Sequence, residues 1–164
     1  MHKVIVVGGG AAGMMAAIQS ARKGTQVLLL EKNERLGKKL FITGKGRCNV
    51  TNNCTLINDL IQNVPTNGRF LYGAFSKVMP IDTMEFFEDM GVALTVERGN
   101  RVFPVSDKAY DIVDALGSYA SKCKIIHDTV TDISIENGAV NGVFVKEKFY
   151  PFDANNIYVL LMLL

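Results

Sequence analysis

The sequence contains no tryptophan, only two histidines and only three cysteines among its 164 residues. The cysteines, Cys48, Cys54 and Cys123, form no C-x-x-C pair, which argues against a disulfide framework and against a zinc site. Neither His2 nor His127 has sequence neighbours typical of a metal centre or a catalytic triad. We therefore expect a reduced protein of the cytoplasm without a metal, and we assign no catalytic acid or base.

The sequence also lacks an excess of charge of either sign and any long hydrophobic run. Eighteen basic residues against sixteen acidic ones give a net charge of +2. This balance argues against a nucleic-acid partner, because such binding needs clustered basic charge. The first apolar run, Val4–Val7, is too short for a signal peptide. The last, over 157–164, has eight residues where a bilayer span needs about 20, so we expect no membrane partner.

The composition is that of one globular domain. Apolar residues make up 48% and charged residues 21%, which is enough to bury a core and is typical of ordered proteins. Residues 3–31 predict a β-branched strand over 3–7, a helix over 11–23, and an apolar strand over 26–30 that ends at Glu31. This order is typical of a βαβ unit with parallel strands.

The next part of the chain predicts a loop and then a helical insertion. Residues 32–53 are polar and predict a loop with short helical turns. The insertion runs from 53 to 106, and its predicted elements are two short helices within 56–76, a helix opened by a capping box at 82–85 and closed by Gly91, and a hairpin of strands 94–97 and 101–103.

The last part predicts a return to the parallel sheet. Ser106 precedes a helix whose apolar stripe consists of Ala109, Ile112, Val113, Leu116 and Ala120. A third parallel strand is predicted over 124–126. It is followed by an antiparallel meander of strands 130–136, 140–146 and 149–152. The apolar run over 157–164 predicts one more buried parallel strand.

A glycine-rich turn lies between the first predicted strand and helix. Its residues, Gly8, Gly9, Gly10, Ala11, Ala12 and Gly13, match the G-x-G-x-x-G pattern of dinucleotide-binding domains. Gly8 permits a tight turn, Gly10 lets a pyrophosphate approach the backbone, and Gly13 lets helix and strand pack closely. The free N–H groups and the dipole of the helix then face the anion. We therefore expect this turn to bind the pyrophosphate of a dinucleotide.

Glu31 ends the second strand, 18 residues after Gly13. A spacing of about 20 residues is expected for the carboxylate that binds ribose hydroxyls. Both NAD and FAD bind to such a unit. A plain NAD domain usually continues with alternating strands and helices, whereas here the third strand leads into an antiparallel meander. The meander favours FAD, and a plain NAD-binding domain is the alternative.

A basic loop follows the second strand. Lys38, Lys39, Lys45 and Arg47 lie within ten residues, and the glycines among them allow an anion to approach the backbone. The loop does not match the nucleotide-triphosphate pattern G-x-x-x-x-G-K-[ST], because Lys39 stands where glycine is needed. Two interpretations stay open: the loop contacts the cofactor, or it is a solvated basic surface.

Two blocks of the sequence resemble a known family. Residues 37–52 contain the run Thr-Gly-Lys-Gly-Arg-Cys-Asn at 43–49, and residues 101–109 read Arg-Val-Phe-Pro-Val-Ser-Asp-Lys-Ala. Both are similar to signatures of the NAD(P)/FAD-dependent oxidoreductases that include aminoacetone-oxidase-like and bile-acid-reducing bacterial flavoproteins. The resemblance covers residues 3–158. It implies an α/β fold of the glutathione-reductase-like FAD-binding type, with a Rossmann-type parallel sheet, an antiparallel meander crossover and a helical insertion.

The resemblance also implies a cofactor and the residues that bind it. The cofactor is FAD, with NAD(P)H as reductant and a small molecule as substrate. Residues 8–13 would bind the pyrophosphate, and Glu31 and Lys32 the ribose region of the adenosine. The stretch from diphosphate to ribityl chain would lie along Lys39, Thr43, Gly44, Arg47 and Asn49, and the adenine edge would meet the backbone of Thr129 and Val130. We expect Cys48 to be a packed residue and not a redox centre.

The chain end departs from the family pattern. The family has an Ala-Thr-Gly-Gly stretch after the strand at Ile157, and here residues 160–164 are leucines and a methionine. We therefore expect residues 1–164 to be the N-terminal part of an FAD/NAD(P)-binding domain, truncated before the substrate domain and the C-terminal return, and inactive by itself. A non-catalytic nucleotide-binding remnant is the other interpretation.

Overall fold

A computed structural model of the chain describes residues 4–152 and 159–161. In chain order its strands and α-helices are β1 (Val4–Val7), α1 (Ala11–Arg22), β2 (Val27–Glu31), β3 (Thr51–Asn52), α2 (Ile57–Gln62), α3 (Tyr72–Phe75), α4 (Pro80–Glu88), β4 (Leu94–Glu97), β5 (Arg101–Pro104), α5 (Ala109–Ala120), β6 (Lys124–His127), β7 (Val130–Glu136), β8 (Ala139–Val145), β9 (Lys148–Pro151) and β10 (Val159–Leu161). The chain divides into two compact units, one of Met1–Leu40 with Leu116–Leu164 and one of Phe41–Ala115. No helix in the described ranges is long and apolar enough to cross a bilayer.

The first unit is built on a four-stranded parallel sheet with the strand order β10-β1-β2-β6. All five residues of β2 are buried, which explains why this strand is an unbroken apolar run up to Glu31. The predicted βαβ unit and the third parallel strand are confirmed. Of the strand predicted over 157–164, Val159–Leu161 form β10 beside β1, and the rest of that run lies outside the described residues.

Apolar side chains on the two faces of this sheet form the core of the first unit. α1 packs against β1 and β2 and buries Met14 and Ile18. Because strand side chains alternate between faces, Ile5, Leu28 and Leu30 point away from α1. They form a buried cluster with residues of the meander: Val143, Val145, Tyr150 and Phe152. The first unit therefore consists of a helix, a parallel sheet and a meander packed in that order.

The meander is the three-stranded antiparallel sheet β7-β8-β9. Its first two strands are joined at Asn137 and Gly138, which have φ angles of 52° and 76°. Asn-Gly is the favoured sequence of such a hairpin turn, because both positions need positive φ. The predicted meander is confirmed.

The second unit contains a three-stranded antiparallel sheet with the order β3-β5-β4 and the helices α2 to α4. The predicted hairpin of β4 and β5 is confirmed. The short strand β3, in which Thr51 pairs with Val102, was not predicted, because two polar residues within a loop carry no hydrophobic alternation.

The predicted start of α4 is wrong. The helix begins at Pro80, two residues before the expected Asp82 cap. Asp82 lies in the first turn, where its carboxylate accepts a hydrogen bond from the Met79 N–H at 2.6 Å. Proline suits the first position of a helix because its missing N–H has no helical partner there. The helix ends before Gly91, whose φ is 83°.

α5 carries the apolar stripe predicted from its sequence. All five stripe residues are buried: Ala109, Ile112, Val113, Leu116 and Ala120. Before the helix, the Ser106 hydroxyl accepts a hydrogen bond from the Lys108 N–H at 3.2 Å. The helical spacing of apolar residues therefore predicted the buried face of α5 correctly.

Candidate functional site

The glycine-rich turn of the first unit joins β1 to α1. Gly8 has a φ of 104°, and its N–H donates to the Leu30 carbonyl oxygen at 2.7 Å, which ties the turn to β2. α1 begins directly after Gly10, and since glycine has no side chain, no side-chain hydrogen bond caps the first turn of the helix. Gly10, Ala11 and Ala12 are exposed. Because the first N–H groups of a helix have no partner within the helix, this end of α1 is suited to an anion.

The glycines of the turn differ in the room around them. A Cβ on Gly13 would collide with the backbone of Gly8, so the helix approaches the turn as closely as backbone atoms allow. A Cβ on Gly9 would collide with the Leu36 side chain. No atom lies within 4 Å of a Cβ on Gly10, whose φ of −76° suits any residue. The fold itself therefore requires glycine at position 13, where backbone blocks a Cβ, and favours it at position 8, whose φ is positive, but it does not require glycine at position 10.

Glu31, at the end of β2, is only 7% exposed and accepts hydrogen bonds from three protein groups. Its Oε2 accepts a bond from the Gly9 N–H at 2.6 Å. Its Oε1 accepts one from the Asn33 N–H at 2.7 Å and another from the Asn33 side-chain amide. The carboxylate thus links the glycine-rich turn to the residues that follow β2.

These bonds keep Glu31 ionised. Burial alone would raise its pKa, but the hydrogen bonds from Asn33 and Gly9, together with the positive charge of Lys32, hold the pKa of this carboxyl below its ordinary value of 4.5. A carboxylate therefore stands at the end of β2 at neutral pH. Its charge disfavours a nearby phosphate on the ribose.

Asn33 is a residue of this site that the sequence patterns did not reveal. Its side-chain oxygen accepts a bond from Lys38 Nζ at 3.3 Å, and its carbonyl oxygen lies 2.7 Å from Nδ1 of His127. Since a carbonyl oxygen only accepts, that histidine nitrogen carries the proton. Nearby, the Gly37 N–H donates to the Gly9 carbonyl oxygen at 2.7 Å. The available signal was an asparagine two residues after the strand-end acid, close enough in sequence for its side-chain amide to reach that carboxylate.

The other residues predicted to bind the cofactor in this unit lie at its surface or at the start of the meander. Lys32 and Lys39 are exposed. The Thr129 N–H donates to the Asp128 carboxylate at 2.8 Å, and Val130 begins β7. Among the described residues, no hydrogen bond joins these four residues to the glycine-rich turn.

The loop over 43–49, in the second unit, has an unusual backbone. Gly44, Lys45, Gly46 and Cys48 have φ angles of 56°, 59°, 88° and 62°. Positive φ is strained for a residue with a side chain and costs about 1–3 kcal/mol at each such position. Lys45 and Cys48 therefore keep this conformation only because surrounding contacts hold the loop in place.

Two loop residues predicted to bind the cofactor are bound by their own unit. The Arg47 guanidinium pairs with the carboxylates of Glu97 and Asp107. The Asn49 side-chain nitrogen, oriented to donate, reaches the carbonyl oxygens of Thr51 at 3.0 Å and Val102 at 3.3 Å. These partners are distant in sequence or lie in an unpredicted strand, so sequence reasoning did not identify them.

The remaining residues of the loop divide between surface and core. Thr43 and Gly44 are exposed, whereas Cys48 is only 1% exposed. Burial raises the pKa of the Cys48 thiol, against a smaller lowering by its hydrogen bond with Thr43. A protonated, buried thiol is a poor nucleophile. Cys48 is thus a packed residue, as the sequence predicted.

Comparison with known proteins identifies the family of this fold and site. Residues 2–160 match the HI0933-like protein Rossmann domain. The chain belongs to this family. The match confirms the resemblance inferred from residues 37–52 and 101–109, and it confirms the α/β Rossmann class. The HI0933-like chain is therefore a Rossmann domain of the FAD-binding type.

Curated relatives and solved structures extend this comparison. The chain is 30% identical over 159 residues to a 3-dehydro-bile acid delta(4,6)-reductase of Clostridium scindens, covering 96% of the chain and 38% of that protein. It is 30% identical over 112 residues to a ribosomal RNA dihydrouridine synthase of Escherichia coli, covering 68% of the chain and 27% of that protein. The chain therefore spans well under half the length of these relatives.

The fold is also shared with a solved dehydrogenase structure. The 3-ketosteroid-delta4-(5alpha)-dehydrogenase of Rhodococcus jostii superimposes with a TM-score of 0.66 at 16% identity, over 92% of this chain and 43% of that one. At this identity the likeness shows a common fold.

The HI0933-like turn fits the diphosphate of FAD. The exposed start of α1 carries no side-chain cap, and the open space at Gly10 is where a phosphate could contact the backbone. Glu31 is ionised and has one acceptor position left, since its three protein hydrogen bonds occupy three of about four. The residues present therefore suit an anionic diphosphate joined to a ribose.

Proposed function

We propose that this domain binds the ADP half of FAD in a flavoprotein oxidoreductase that uses NAD(P)H as reductant. The observation that carries the proposal is the uncapped, exposed start of α1 beside the open face of Gly10, with the Glu31 carboxylate held at the end of the next strand. Bound FAD would supply two-electron redox chemistry, with hydride passing from NAD(P)H to the substrate.

The residues of the first unit would bind and orient the cofactor. The N–H groups of residues 10–13 would face the diphosphate, where the helix dipole favours negative charge. Glu31 would accept a ribose hydroxyl through Oε2, which has the free acceptor position. Lys32 and Lys39 are exposed cations that would make the electrostatic potential around the phosphates more positive. The backbone at Thr129 and Val130 would meet the adenine.

The hydrogen bonds within the turn would lower the entropic cost of binding FAD. Gly9 is held from both sides, because its N–H donates to Glu31 and its carbonyl oxygen accepts from Gly37. The turn therefore has its shape before the ligand arrives, and less conformational entropy is lost on binding.

For the substrate we propose a small molecule with a carbon–carbon double bond conjugated to a carbonyl. The name of the Clostridium scindens relative describes reduction of such bonds in a bile acid, and the Rhodococcus jostii structure is a ketosteroid dehydrogenase. Both names describe hydrogen transfer at a steroid ring. These names support the proposal of a steroid-like substrate for the whole protein of which this domain would be part.

A second candidate substrate is a uridine base in RNA, because the Escherichia coli relative is a ribosomal RNA dihydrouridine synthase. The net charge of +2 argues against tight RNA binding by this chain itself. Filter binding of ribosomal RNA over a salt series separates the two candidates. Steep, salt-dependent RNA binding would favour RNA, and its absence together with binding of a 3-oxo steroid would favour the small molecule.

The Gly10→Val variant tests the diphosphate assignment. Its fold should be unaffected, because the backbone at Gly10 is unstrained and a Cβ there meets open space. We expect FAD and ADP affinity to fall below detection in a fluorescence or calorimetric titration, since the side chain would occupy the phosphate position.

Gly117→Val is the matched control for this test. Gly117 lies in α5, and a Cβ there also meets nothing within 4 Å. The control should bind FAD like the wild type. Equal affinities of Gly10→Val and wild type would show that the diphosphate lies elsewhere.

A further inference from the structure

Arg47 is partly exposed and contacts several groups of its own unit. Its Nη1 donates to Glu97 Oε2 at 3.1 Å, its Nη2 contacts the other oxygen of the same carboxylate, and its Nε donates to Asp107 Oδ1 at 2.7 Å. The guanidinium carbon also lies 4.2 Å from the centroid of the Phe103 ring. One side chain of the 43–49 loop is thereby joined to β4, to β5 and to the residue segment after β5.

These contacts neutralise the positive charge of Arg47, which would otherwise attract a phosphate. Two carboxylates surround one guanidinium, so the cluster of Arg47, Glu97 and Asp107 has a net charge of −1 when all three are ionised. The hydrogen bonds from Arg47 hold the pKa of Glu97 below its usual range, and the two carboxylates raise the pKa of Arg47. The Arg47–Glu97 pair therefore keeps both of its charges at neutral pH, and a guanidinium already paired with carboxylates would not attract an anionic diphosphate.

The same contacts support the strained part of the loop. Lys45 and Cys48 flank Arg47 and both have positive φ. Gly44 lies against the ring that Arg47 covers, since a Cβ on Gly44 would be 2.8 Å from Phe103. Contacts of Arg47 and of Phe103 therefore both hold the part of the loop that contains the strained residues.

We infer that Arg47 is a positioning residue: through Glu97 and Asp107 it holds the 43–49 loop in its strained shape, and it does not contact the cofactor phosphates. The inference rests on the proposed function, because the loop matters for binding only if the domain binds FAD. It differs from the role that the family resemblance implies for Arg47, which is direct contact with the diphosphate-to-ribityl stretch.

Glu97→Gln distinguishes the two roles by the sign of its effect. If Arg47 positions the loop, Glu97→Gln weakens FAD binding by a factor similar to that of Arg47→Ala, on the order of ten-fold, and the double variant is no weaker than either single one. If Arg47 contacts phosphate, the loss of a competing carboxylate frees the guanidinium, so Glu97→Gln tightens FAD binding. Tighter binding overturns the inference.

Arg47→Lys is the second discriminating variant. Lysine keeps the positive charge but cannot bridge two carboxylates as the planar guanidinium does. The positioning role predicts that Arg47→Lys binds FAD as weakly as Arg47→Ala, and direct phosphate contact predicts affinity close to the wild type. Glu88→Gln is the matched control, since Glu88 is an exposed carboxylate of α4 in the same unit, and it should bind FAD like the wild type.

A measurement without FAD separates this inference from the proposed function. Lys45 is exposed, so trypsin cleavage after it reports how firmly the loop is held. We expect Glu97→Gln to be cleaved there several-fold faster than the wild type and Glu88→Gln at the wild-type rate. Equal cleavage rates in all three proteins overturn the positioning role. Absence of FAD and ADP binding by the wild type refutes the proposed function, and the trypsin result still decides the role of Arg47.

Discussion

Glu31 shows how one side chain can serve both the fold and the ligand. Its carboxylate offers about four acceptor positions. Gly9 occupies one on Oε2, and Asn33 occupies both on Oε1. One position on Oε2 remains, so we expect Glu31 to accept a single hydrogen bond from the adenosine ribose. The sequence predicted the residue from its spacing, and only the structure shows the bonds that orient it.

Glu31→Ala should weaken FAD binding by roughly ten-fold or more. A hydrogen bond to a charged group contributes about 1.5–3 kcal/mol, and about 1.4 kcal/mol corresponds to ten-fold in affinity. Fluorescence titration measures the loss. Free FMN lacks the adenosine, so its affinity should hardly change, and equal losses for FAD and FMN would contradict the ribose assignment.

The contribution of Glu31 to folding stability should depend on pH. Its folded-state pKa lies below the ordinary value of 4.5, so the stabilisation is fully present above that value. It is lost as the pH falls through the folded-state pKa, because the protonated carboxyl is a poorer acceptor for Gly9 and Asn33. We expect the free energy of unfolding of the wild type to exceed that of Glu31→Gln at neutral pH, with the difference shrinking below pH 4.5.

Urea unfolding of both proteins over a pH series measures this difference. Glu97 and Asp128 also have lowered pKa values, so the wild type alone would lose stability in acid for several reasons. Comparison with Glu31→Gln cancels those shared contributions. A difference that stays constant down the series would show that Glu31 is not an ionised acceptor in the fold.

At the scale of elements, hydrophobic periodicity predicted those that pack on a core. The apolar run of β2 and the helical stripe of α5 are buried as expected. The errors lie where hydrophobic periodicity gives no signal and other interactions decide the structure. The acidic residues at 82–85 suggested a cap, and Pro80 begins α4 earlier. β3 has only two polar residues and exists because Thr51 pairs with Val102 of a strand far along the chain.

Lys39 offers a test of the basic loop that follows β2. It is an exposed cation in the first unit. If it acts on the phosphates through solvent, Lys39→Ala should weaken FAD binding several-fold at low salt. The loss should fade above 0.1 M salt, where charges more than about 10 Å apart are screened.

Lys23→Ala is the control for the Lys39 experiment. Lys23 follows the last residue of α1, about 18 Å from the glycine-rich turn along a helix of 12 residues. Its removal should leave FAD affinity unchanged at every salt concentration. If Lys39→Ala behaves like Lys23→Ala at low salt, the loop is a solvated basic surface.

At the scale of the whole molecule, the chain spans 38% of the length of the bile acid reductase that it resembles. A Rossmann domain can bind the ADP part of FAD by itself. Flavin chemistry requires in addition that the flavin ring is shielded from water. We expect the 164-residue chain to bind FAD weakly and to oxidise NAD(P)H no faster than free flavin does. Absorbance assays with chain plus FAD and with FAD alone measure this. Stoichiometric, tightly bound FAD with rapid NAD(P)H-dependent reduction would contradict it.

The sequence by itself determined the elements that depend only on residues close together in the chain. The β-branched run, the glycine-rich turn and the strand-end acid predicted the βαβ unit and its ligand class, because each needs only neighbouring residues. The tertiary structure decided which partners distant side chains take. Arg47 meets Glu97 and Asp107 across 50 and 60 residues, and Asn33 meets His127 across 94. Contacts at such separations have no periodic trace in a single sequence, because they arise only when the sheets bring those segments together.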